Sequence, residues 1–348
     1  MRDRGGAYPP LVELTLGRLR EFVREPEALF WVVVFPILMA FALGVAFRSR
    51  GDEPLVVGVV QGPEGAAVTA ALGGSDAVRI ESMPREHIAV ALQRAEVQVV
   101  VEGSNPPTYH LDPTRAESRL ARRTVDDLLQ RAAGRADAFI AREAPVDAIG
   151  SRYIDWLVPG LLGMNVMSTG LWGLAFSVVH ARTRKLLKRL VASPMRRRDY
   201  LLAQVLGRLV FLVVEAGALL AFGWLAFGVP MRGSGVLLAA TCLCGALAFG
   251  GVGLLVASRA RTLEAVSGLV NLVMLPMWLL SGVFFSSSNF PSGMQPFIQA
   301  LPLTALNDAL RAVMLEGAGL REVAADLALL TTWGAASFAF ALRVFRWR

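Results

Sequence analysis

A run of positive charge lies between two long apolar segments of this sequence. From Arg182 to Arg198 it contains eight arginine or lysine residues and no acidic residue. Such a run can bind nucleic acid, lie on anionic lipid or dock another protein. Nucleic-acid binding usually brings aromatic side chains for base stacking, and here the first aromatic residue is Tyr200, beyond the run. The pattern therefore argues against a nucleic-acid partner.

The run also has helical order that a lipid anchor does not require. Leu186, Leu187, Leu190 and Val191 recur at helical spacing and form one apolar stripe, and Pro194 ends the pattern. Basic residues flank the stripe, so contact with membrane lipid is expected as well. A short amphipathic helix with a fixed stop indicates an element that docks a partner protein.

Among the polar residues inside apolar segments elsewhere, the candidates for a functional role are Asn165, Glu215 and Asn271. An ionised group in mid-membrane costs at least ~2.5 kcal/mol, so Glu215 must be protonated, paired or beside water. Its role is either substrate contact or structural hydrogen bonding. The two asparagines are either interhelical hydrogen bonds or residues of a translocation pathway. No cysteine or histidine spacing fits a metal site, and no nucleophile–base pair lies in these segments, so neither a metal nor a catalytic residue is predicted.

The composition indicates a membrane protein. Of the 348 residues, 54% are hydrophobic and 18% charged, with a mean hydropathy of +0.50. A membrane-spanning helix needs about 20 apolar residues. Six segments meet that requirement, and they lie at 28–47, 156–180, 203–229, 236–257, 263–285 and 325–345.

Charge near the ends of these segments predicts their orientation. With the N-terminus inside, 19 arginine and lysine residues fall on the inner side and 3 on the outer side. We therefore expect a multi-pass membrane protein with both termini in the cytoplasm. The leader 1–27 is expected to form an amphipathic interfacial helix, and 181–202 a cytoplasmic loop.

Residues 48–155 are expected to be an extracytoplasmic domain between spans one and two. LVVGVV, AVRIES, VQVVVEG and TYHLDP resemble short strands, and REHIAVALQRAEV and RAESRLARRTVDDLLQRAAGR resemble amphipathic helices. Strands alternating with helices predict a small α/β fold. The predicted fold class is thus a polytopic α-helical membrane protein of six transmembrane helices, with this domain inserted and residues 156–348 forming a five-span transmembrane domain.

Three segments resemble the permeases of type-two ATP-binding-cassette exporters. LLKRLVASPMRRRDYLLAQ resembles their cytoplasmic coupling segment, although Lys185, Leu186 and Lys188 replace the Gly, Thr and Glu of that pattern. SGVFFSSSNFPSGMQPFIQALPLTALNDALRAVMLEG (281–317) resembles the end of their fifth span and the outer segment that follows. EPEALFWVVVFPILM resembles their first span, with Pro36 in place. The resemblance covers the whole chain, in the subgroup with an external domain after the first span.

The resemblance implies roles for two sets of residues. Those expected to couple to an ATPase are Leu186, Leu187, Lys188, Leu190, Ser193 and Pro194. An outer re-entrant segment is expected at 286–320, with Pro302, Thr304, Asp308 and Arg311 as its notable residues. Asp308 and Arg311 are spaced i,i+3, so they can pair on one helical face.

The resemblance also implies partners. The only lysines are Lys185 and Lys188, and neither follows the glycine pattern of a phosphate-binding loop. We therefore expect this chain to bind no cofactor itself, with ATP and Mg held by a separate cytoplasmic ABC ATPase. Two permease chains, identical or paralogous, would join two ATPase chains.

The predicted function is therefore outward transport of a hydrophobic or amphiphilic substrate, with no enzymatic activity in this chain. Two alternatives stay open. One is an ion-coupled secondary transporter or channel that uses Glu215 as its proton site. The other is a membrane sensor or scaffold that transports nothing and binds a ligand through the external domain.

Overall fold

The computed structural model describes residues 20, 24, 26–47, 54–104, 106–136, 139, 150, 152–183, 197–260 and 262–344. The chain divides into two compact units. Unit 2 covers Arg50–Val146, and unit 1 covers Met1–Ser49 and Asp147–Arg348. Each unit is described by itself.

Unit 1 consists of helices. The first, α1, begins as Pro26–Leu29, passes through a π-helical turn at Phe30–Val34 and continues as Phe35–Ala46. The others are α5 (Tyr153–Thr183), α6 (Arg197–Phe227), α7 (Gly235–Arg259), α8 (Leu263–Leu280), α9 (Gln295–Gln299), α10 (Pro302–Arg311) and α11 (Ala324–Val344). A second π-helical turn, Ala312–Glu316, extends α10.

Among the described residues, five helices are long and apolar enough to cross a membrane. They lie at Tyr153–His180, Leu209–Phe227, Gly235–Arg259, Leu263–Leu280 and Ala324–Val344. The chain is thus a polytopic helical membrane protein. The segment predicted as the first span, 28–47, contains a shorter apolar helix, Phe30–Ala46, so a sixth span stays a prediction.

Two helices end earlier than the predicted spans, at glycines with positive φ. Helix α6 stops at Phe227 because Gly228 has a φ of +65° and donates its amide to the Trp224 carbonyl at 2.9 Å. Helix α8 stops at Leu280 because Gly282 has a φ of +71°. At its other end, α8 begins where the Thr262 hydroxyl accepts a hydrogen bond from the Ala265 amide at 3.2 Å.

Helices α5 and α7 lie at the centre of unit 1, with α10 packed between α5, α7 and α11. Glycine lets α7 approach its neighbours closely. A Cβ atom on Gly251 would lie 2.8 Å from the Gly334 carbonyl of α11, and one on Gly253 would lie 2.8 Å from the Leu171 carbonyl of α5.

Unit 2 is a four-stranded sheet covered by helices. Its elements are β1 (Leu55–Val60), α2 (Pro63–Leu72), β2 (Val78–Met83), α3 (Ile88–Gln93), β3 (Val99–Glu102), β4 (Thr108–His110) and α4 (Ala116–Ala132). The strand order is β2-β1-β3-β4. Strands β1, β2 and β3 are parallel, and β4 pairs antiparallel with β3.

Alternating side chains of the central strands fill two small cores. Val57 and Val99 are buried with Leu72 of α2 and Val125 of α4 on one face, whereas Val100 is buried with residues of α3 on the other. Each of the four strands overlaps one of the four segments predicted from sequence, and β1 has the predicted bounds. The location of this unit outside the cell stays a prediction.

Candidate functional site

Helix α10 is a short helix enclosed by longer ones. Its ten residues are too few to cross a bilayer, yet all of them except Asp308 are buried, including the predicted site residues Pro302 and Thr304. Pro302 lies in the first turn, where a missing amide hydrogen leaves no helical hydrogen bond unmade. The predicted outer segment thus contains a helix that packs inside the bundle without spanning it.

Arg311 ends α10 as a buried cation, with 5% of the residue exposed. Its guanidinium lies over the Trp156 ring, 3.5 Å from the ring centroid, and donates to the Gly282 carbonyl. A longer contact of 3.5 Å reaches the Trp156 carbonyl. Asp308, one turn back, lies 3.6 Å away with 52% of its side chain exposed. Arg311, Asp308, Trp156 and Gly282 are called the Arg311 cluster below.

The predicted i,i+3 pair of Asp308 and Arg311 is thus present, but it is the weaker part of the cluster. A partly exposed ion pair contributes about 0–1 kcal/mol. Burying a guanidinium whose N–H groups have no partner costs much more than such a pair contributes. The contacts with the Gly282 carbonyl and the Trp156 ring therefore stabilise Arg311 in its buried position. These contacts join the end of α10 to the first turn of α5 and to the turn after α8.

One turn earlier, Asn307 makes a second connection between α10 and α8. Its side-chain amide donates to the Ser281 carbonyl at 2.8 Å. Ser281 is the C-cap residue of α8, and carbonyls at a helix end have no partner within the helix. In an apolar surrounding such a carbonyl needs a donor, which Asn307 supplies.

Two glycines of α5 allow this approach. A Cβ atom on Gly163 would lie 2.0 Å from the Asn307 side-chain oxygen, a distance that real Cβ atoms do not show. A Cβ atom on Gly160 would lie 2.5 Å from the Val283 carbonyl and 3.1 Å from Arg311. Sequence reasoning missed Gly160, Gly163 and Asn307. The spacing of small residues on α5 is the signal that could have identified the first two.

Glu215 lies near the middle of the α6 span and is buried, with 3% exposed. The Thr169 hydroxyl of α5 donates to one carboxyl oxygen at 3.0 Å. The two residues thus link α5 and α6 through a buried polar contact inside the apolar bundle. Thr169 was also missed, because a single threonine in an apolar helix commonly bonds its own backbone.

Asn165 lies one turn before Thr169 on α5 and links a different helix. Its side-chain amide donates to the Val32 carbonyl of α1 at 3.0 Å. Residue 36, four positions after Val32, is a proline with no amide hydrogen, so the usual helical hydrogen bond to Val32 cannot form. Asn165 supplies the missing donor from a neighbouring helix.

The remaining candidates differ in their surroundings. Asn271 is exposed on the surface of α8, beside an exposed row that includes Gly268, Leu272 and Leu275. The six residues expected to couple to an ATPase lie outside the described residues, and they are Leu186, Leu187, Lys188, Leu190, Ser193 and Pro194.

A connection not foreseen from sequence joins the start of α5 to the end of α6. Arg152 makes a two-pronged ion pair with Asp155, at 2.9 and 2.7 Å, and Asp155 is buried. The same guanidinium donates to the carbonyls of Phe227 and Gly228, at 2.9 and 3.3 Å. Arg152 thereby satisfies carbonyls at the C-terminus of α6.

Comparison with known proteins adds an independent observation. The sequence profile of the ABC-2 type transporter family matches residues 121–315, more than half of the chain. ABC transporter G family member 20 from Dictyostelium discoideum is 29% identical over 187 residues, which are 53% of this chain and 25% of that protein. The Escherichia coli K12 protein named probable multidrug ABC transporter permease YbhR is 27% identical over 188 residues, 53% of this chain and 51% of that protein.

A further relative is the inner membrane transport permease YadH of Escherichia coli K12, with 28% identity over 194 residues, 54% of this chain and 70% of that protein. The matched stretch thus spans a quarter of the Dictyostelium protein and about half of YbhR. The family match includes α5, α6, α7, α8 and α10, which contribute most contacts of the candidate site. The chain therefore belongs to the ABC-2 type transporter family.

Proposed function

We propose that this chain is the membrane-spanning permease subunit of an ATP-driven exporter. Its cargo is hydrophobic or amphiphilic and moves outward across a bacterial cytoplasmic membrane. A separate cytoplasmic ABC ATPase binds ATP and Mg and docks on the coupling segment around Leu187 and Pro194. Family membership, the permease names of the relatives and the apolar stripe in the basic run support this proposal.

The observation that carries the proposal is the continuity of α5. This helix has 31 residues, about 46 Å at the usual rise per residue. Its first turn contributes Trp156 to the Arg311 cluster, and its middle contributes Thr169 to the contact with Glu215. Its last two residues, Arg182 and Thr183, are the first two of the basic run. A displacement of the docked ATPase would therefore be transmitted along one helix to the far end of the bundle.

In this proposal the Arg311 cluster holds the outer end of the bundle closed. Arg311 connects α5, α8 and α10 at that end. A tilt of α5 would separate Trp156 from Arg311 and allow α10 to move, which opens a path outward. The contacts within the Arg311 cluster are few and polar, so they can be exchanged for others during such a movement.

A second permease chain would cover the exposed face of α8. Gly268, Leu272, Leu275 and Leu279 are exposed and spaced 4, 3 and 4 residues apart, the spacing of a helix-packing seam. A Cβ atom on Gly268 would meet no neighbouring atom within 4 Å in the described structure. Asn271, exposed beside this seam, is costly in hydrocarbon and gains a partner if another copy packs there.

Ion coupling is the second candidate function, because Glu215 is a buried carboxyl group within a span. The contact with Thr169 fits a structural role equally well. The two functions differ in the energy source: export in the first depends on ATP, and in the second on an ion gradient.

Purification from native membranes tests the proposed function. We expect the affinity-tagged chain, extracted in mild detergent, to copurify with a P-loop ATPase that contains no membrane spans, and the complex to hydrolyse ATP. A chain that transports cargo while purifying free of any ATPase would contradict the proposal and favour ion coupling.

Cysteine labelling in intact cells tests the orientation. The two native cysteines, Cys242 and Cys244, are first replaced by alanine. A cysteine at Gln93, an exposed position of unit 2, should react with a membrane-impermeant thiol reagent, whereas one at Arg197 should react only after the membrane is permeabilised. The reverse labelling would invert the topology.

A further inference from the structure

Unit 1 contains a cavity of about 330 Å³ at the end of α6 that lies far from the basic run. We call it the lateral cavity. Val158 of α5 and Leu220, Ala221 and Trp224 of α6 form its walls, and the loop 229–231 and Met314 complete it. The volume falls at the lower end of the range of ligand pockets, about 300–1,000 Å³.

Fixed elements surround the lateral cavity, so it is not a chance gap in loose packing. The turn after α6 is held by Arg152, which donates to the Phe227 and Gly228 carbonyls. On the other side, the Arg232 amide donates to the Met314 carbonyl at 2.9 Å. A Cβ atom on Gly233 would lie 2.2 Å from the Val313 carbonyl, so this loop packs tightly against the turn after α10.

The lining and the opening of the cavity define the class of ligand. The lining consists of aliphatic, methionine and tryptophan side chains, which offer a water molecule too few hydrogen-bonding partners. Trp224 and Met231 are 66% and 47% exposed, so the cavity opens onto the surface of unit 1. In a membrane that surface faces lipid, and tryptophan commonly lies at the lipid–water boundary.

We infer that the lateral cavity binds an acyl chain of a membrane phospholipid. The chain enters sideways past Trp224 and Met231 and packs against Val158 and Ala221. The exposed guanidinium of Arg232, next to Met231 in the chain, complements the phosphate of the headgroup. The site is separate from the Arg311 cluster, and its occupation by lipid does not depend on whether the exporter is driven by ATP or by an ion gradient.

Photolabelling of the reconstituted full-length chain tests this inference. The probe is a phosphatidylglycerol with a diazirine at the end of one acyl chain, added in trace amount to phospholipid vesicles. After irradiation, peptide mass spectrometry should locate most label on residues 220–231 and on the peptide containing Met314. Label spread evenly over the exposed apolar face of α6, including Val213 and Val214, would overturn the inference.

Two variants with matched chemistry sharpen the test. Ala221→Phe places a ring in the cavity and should lose most of the label at 220–231. Leu225→Phe introduces the same side chain at an exposed position of α6 that does not line the cavity, and should keep the label. Unchanged labelling in Ala221→Phe would overturn the inference. If Ala221→Phe does not fold, the distribution of label over the peptides of the unsubstituted protein decides whether the lateral cavity binds the acyl chain.

Discussion

Replacing Arg311 with alanine removes a side chain that connects α10 to the first turn of α5 and to the turn after α8. The Gly282 carbonyl loses its donor, and the Trp156 ring loses the guanidinium above it. A buried carbonyl without a partner costs about 1–3 kcal/mol. The ring contact contributes roughly 0.5–2 kcal/mol, and the ion pair with Asp308 less than about 1 kcal/mol.

We therefore expect Arg311→Ala to lower the free energy that holds the closed arrangement by about 2–5 kcal/mol. Because about 1.4 kcal/mol is a tenfold change in an equilibrium constant, the balance between closed and open forms should shift at least tenfold. In detergent the variant should melt at a lower temperature than the unsubstituted protein. In vesicles it should lose export or leak cargo.

Two further variants separate charge from geometry. Arg321→Ala removes an exposed arginine from the approach to α11 and should leave melting and export nearly unchanged. Arg311→Lys keeps the positive charge but loses the planar group that covers Trp156. Its melting temperature should therefore lie between those of Arg311→Ala and Arg321→Ala. Equal melting and equal export in Arg311→Ala and Arg321→Ala would refute the reasoning.

Three other substitutions test the polar contacts of α5 and α6. Gly163→Ala forces a methyl group against the Asn307 amide and should lower the free energy of unfolding by roughly 1–3 kcal/mol, measured by thermal denaturation; an unchanged melting temperature would contradict the close approach. Asn165→Leu leaves the Val32 carbonyl without its interhelical donor and should destabilise the protein by about 1–2 kcal/mol in the same assay, whereas a neutral effect would show that the bond contributes nothing. Glu215→Gln should lower export, without lowering the membrane amount or ATPase assembly, if the charge or proton of Glu215 serves transport; full export would make Glu215 structural.

Sequence alone predicted features that depend on local spacing. The pairing of Asp308 with Arg311 follows from their i,i+3 separation, and the strands of unit 2 follow from short β-branched segments between turns. The five long apolar helices follow from hydropathy. Each of these depends on residues close together in the chain, so no knowledge of tertiary packing was needed.

The connections between helices could not be predicted in this way. Arg311 and Trp156 are 155 positions apart, and Asn165 and Val32 are 133 apart, so only the fold shows that they meet. Asn165 and Asn271 were equivalent candidates in the sequence, yet Asn165 is buried against α1 and Asn271 is exposed. Which face of an apolar helix meets a neighbour is decided by the packing of the whole bundle.

We propose that ATP hydrolysis on a separate subunit drives this permease through the basic run. If so, the positions of the apolar residues in the run matter, and not only its positive charge. Each leucine buried at a docking surface contributes about 1.5–3 kcal/mol, so losing two weakens a contact roughly a hundredfold or more. The decisive measurement compares copurification of the ATPase and export in two variants that both retain all eight basic charges.

We expect Leu187→Ala with Leu190→Ala to leave the protein inserted in the membrane but to abolish both copurification of the ATPase and export. The matched control changes Arg196, Arg197 and Arg198 together to lysine and should be nearly silent. If the double leucine variant retains its ATPase and exports normally, the basic run is a lipid anchor and the proposed coupling is wrong.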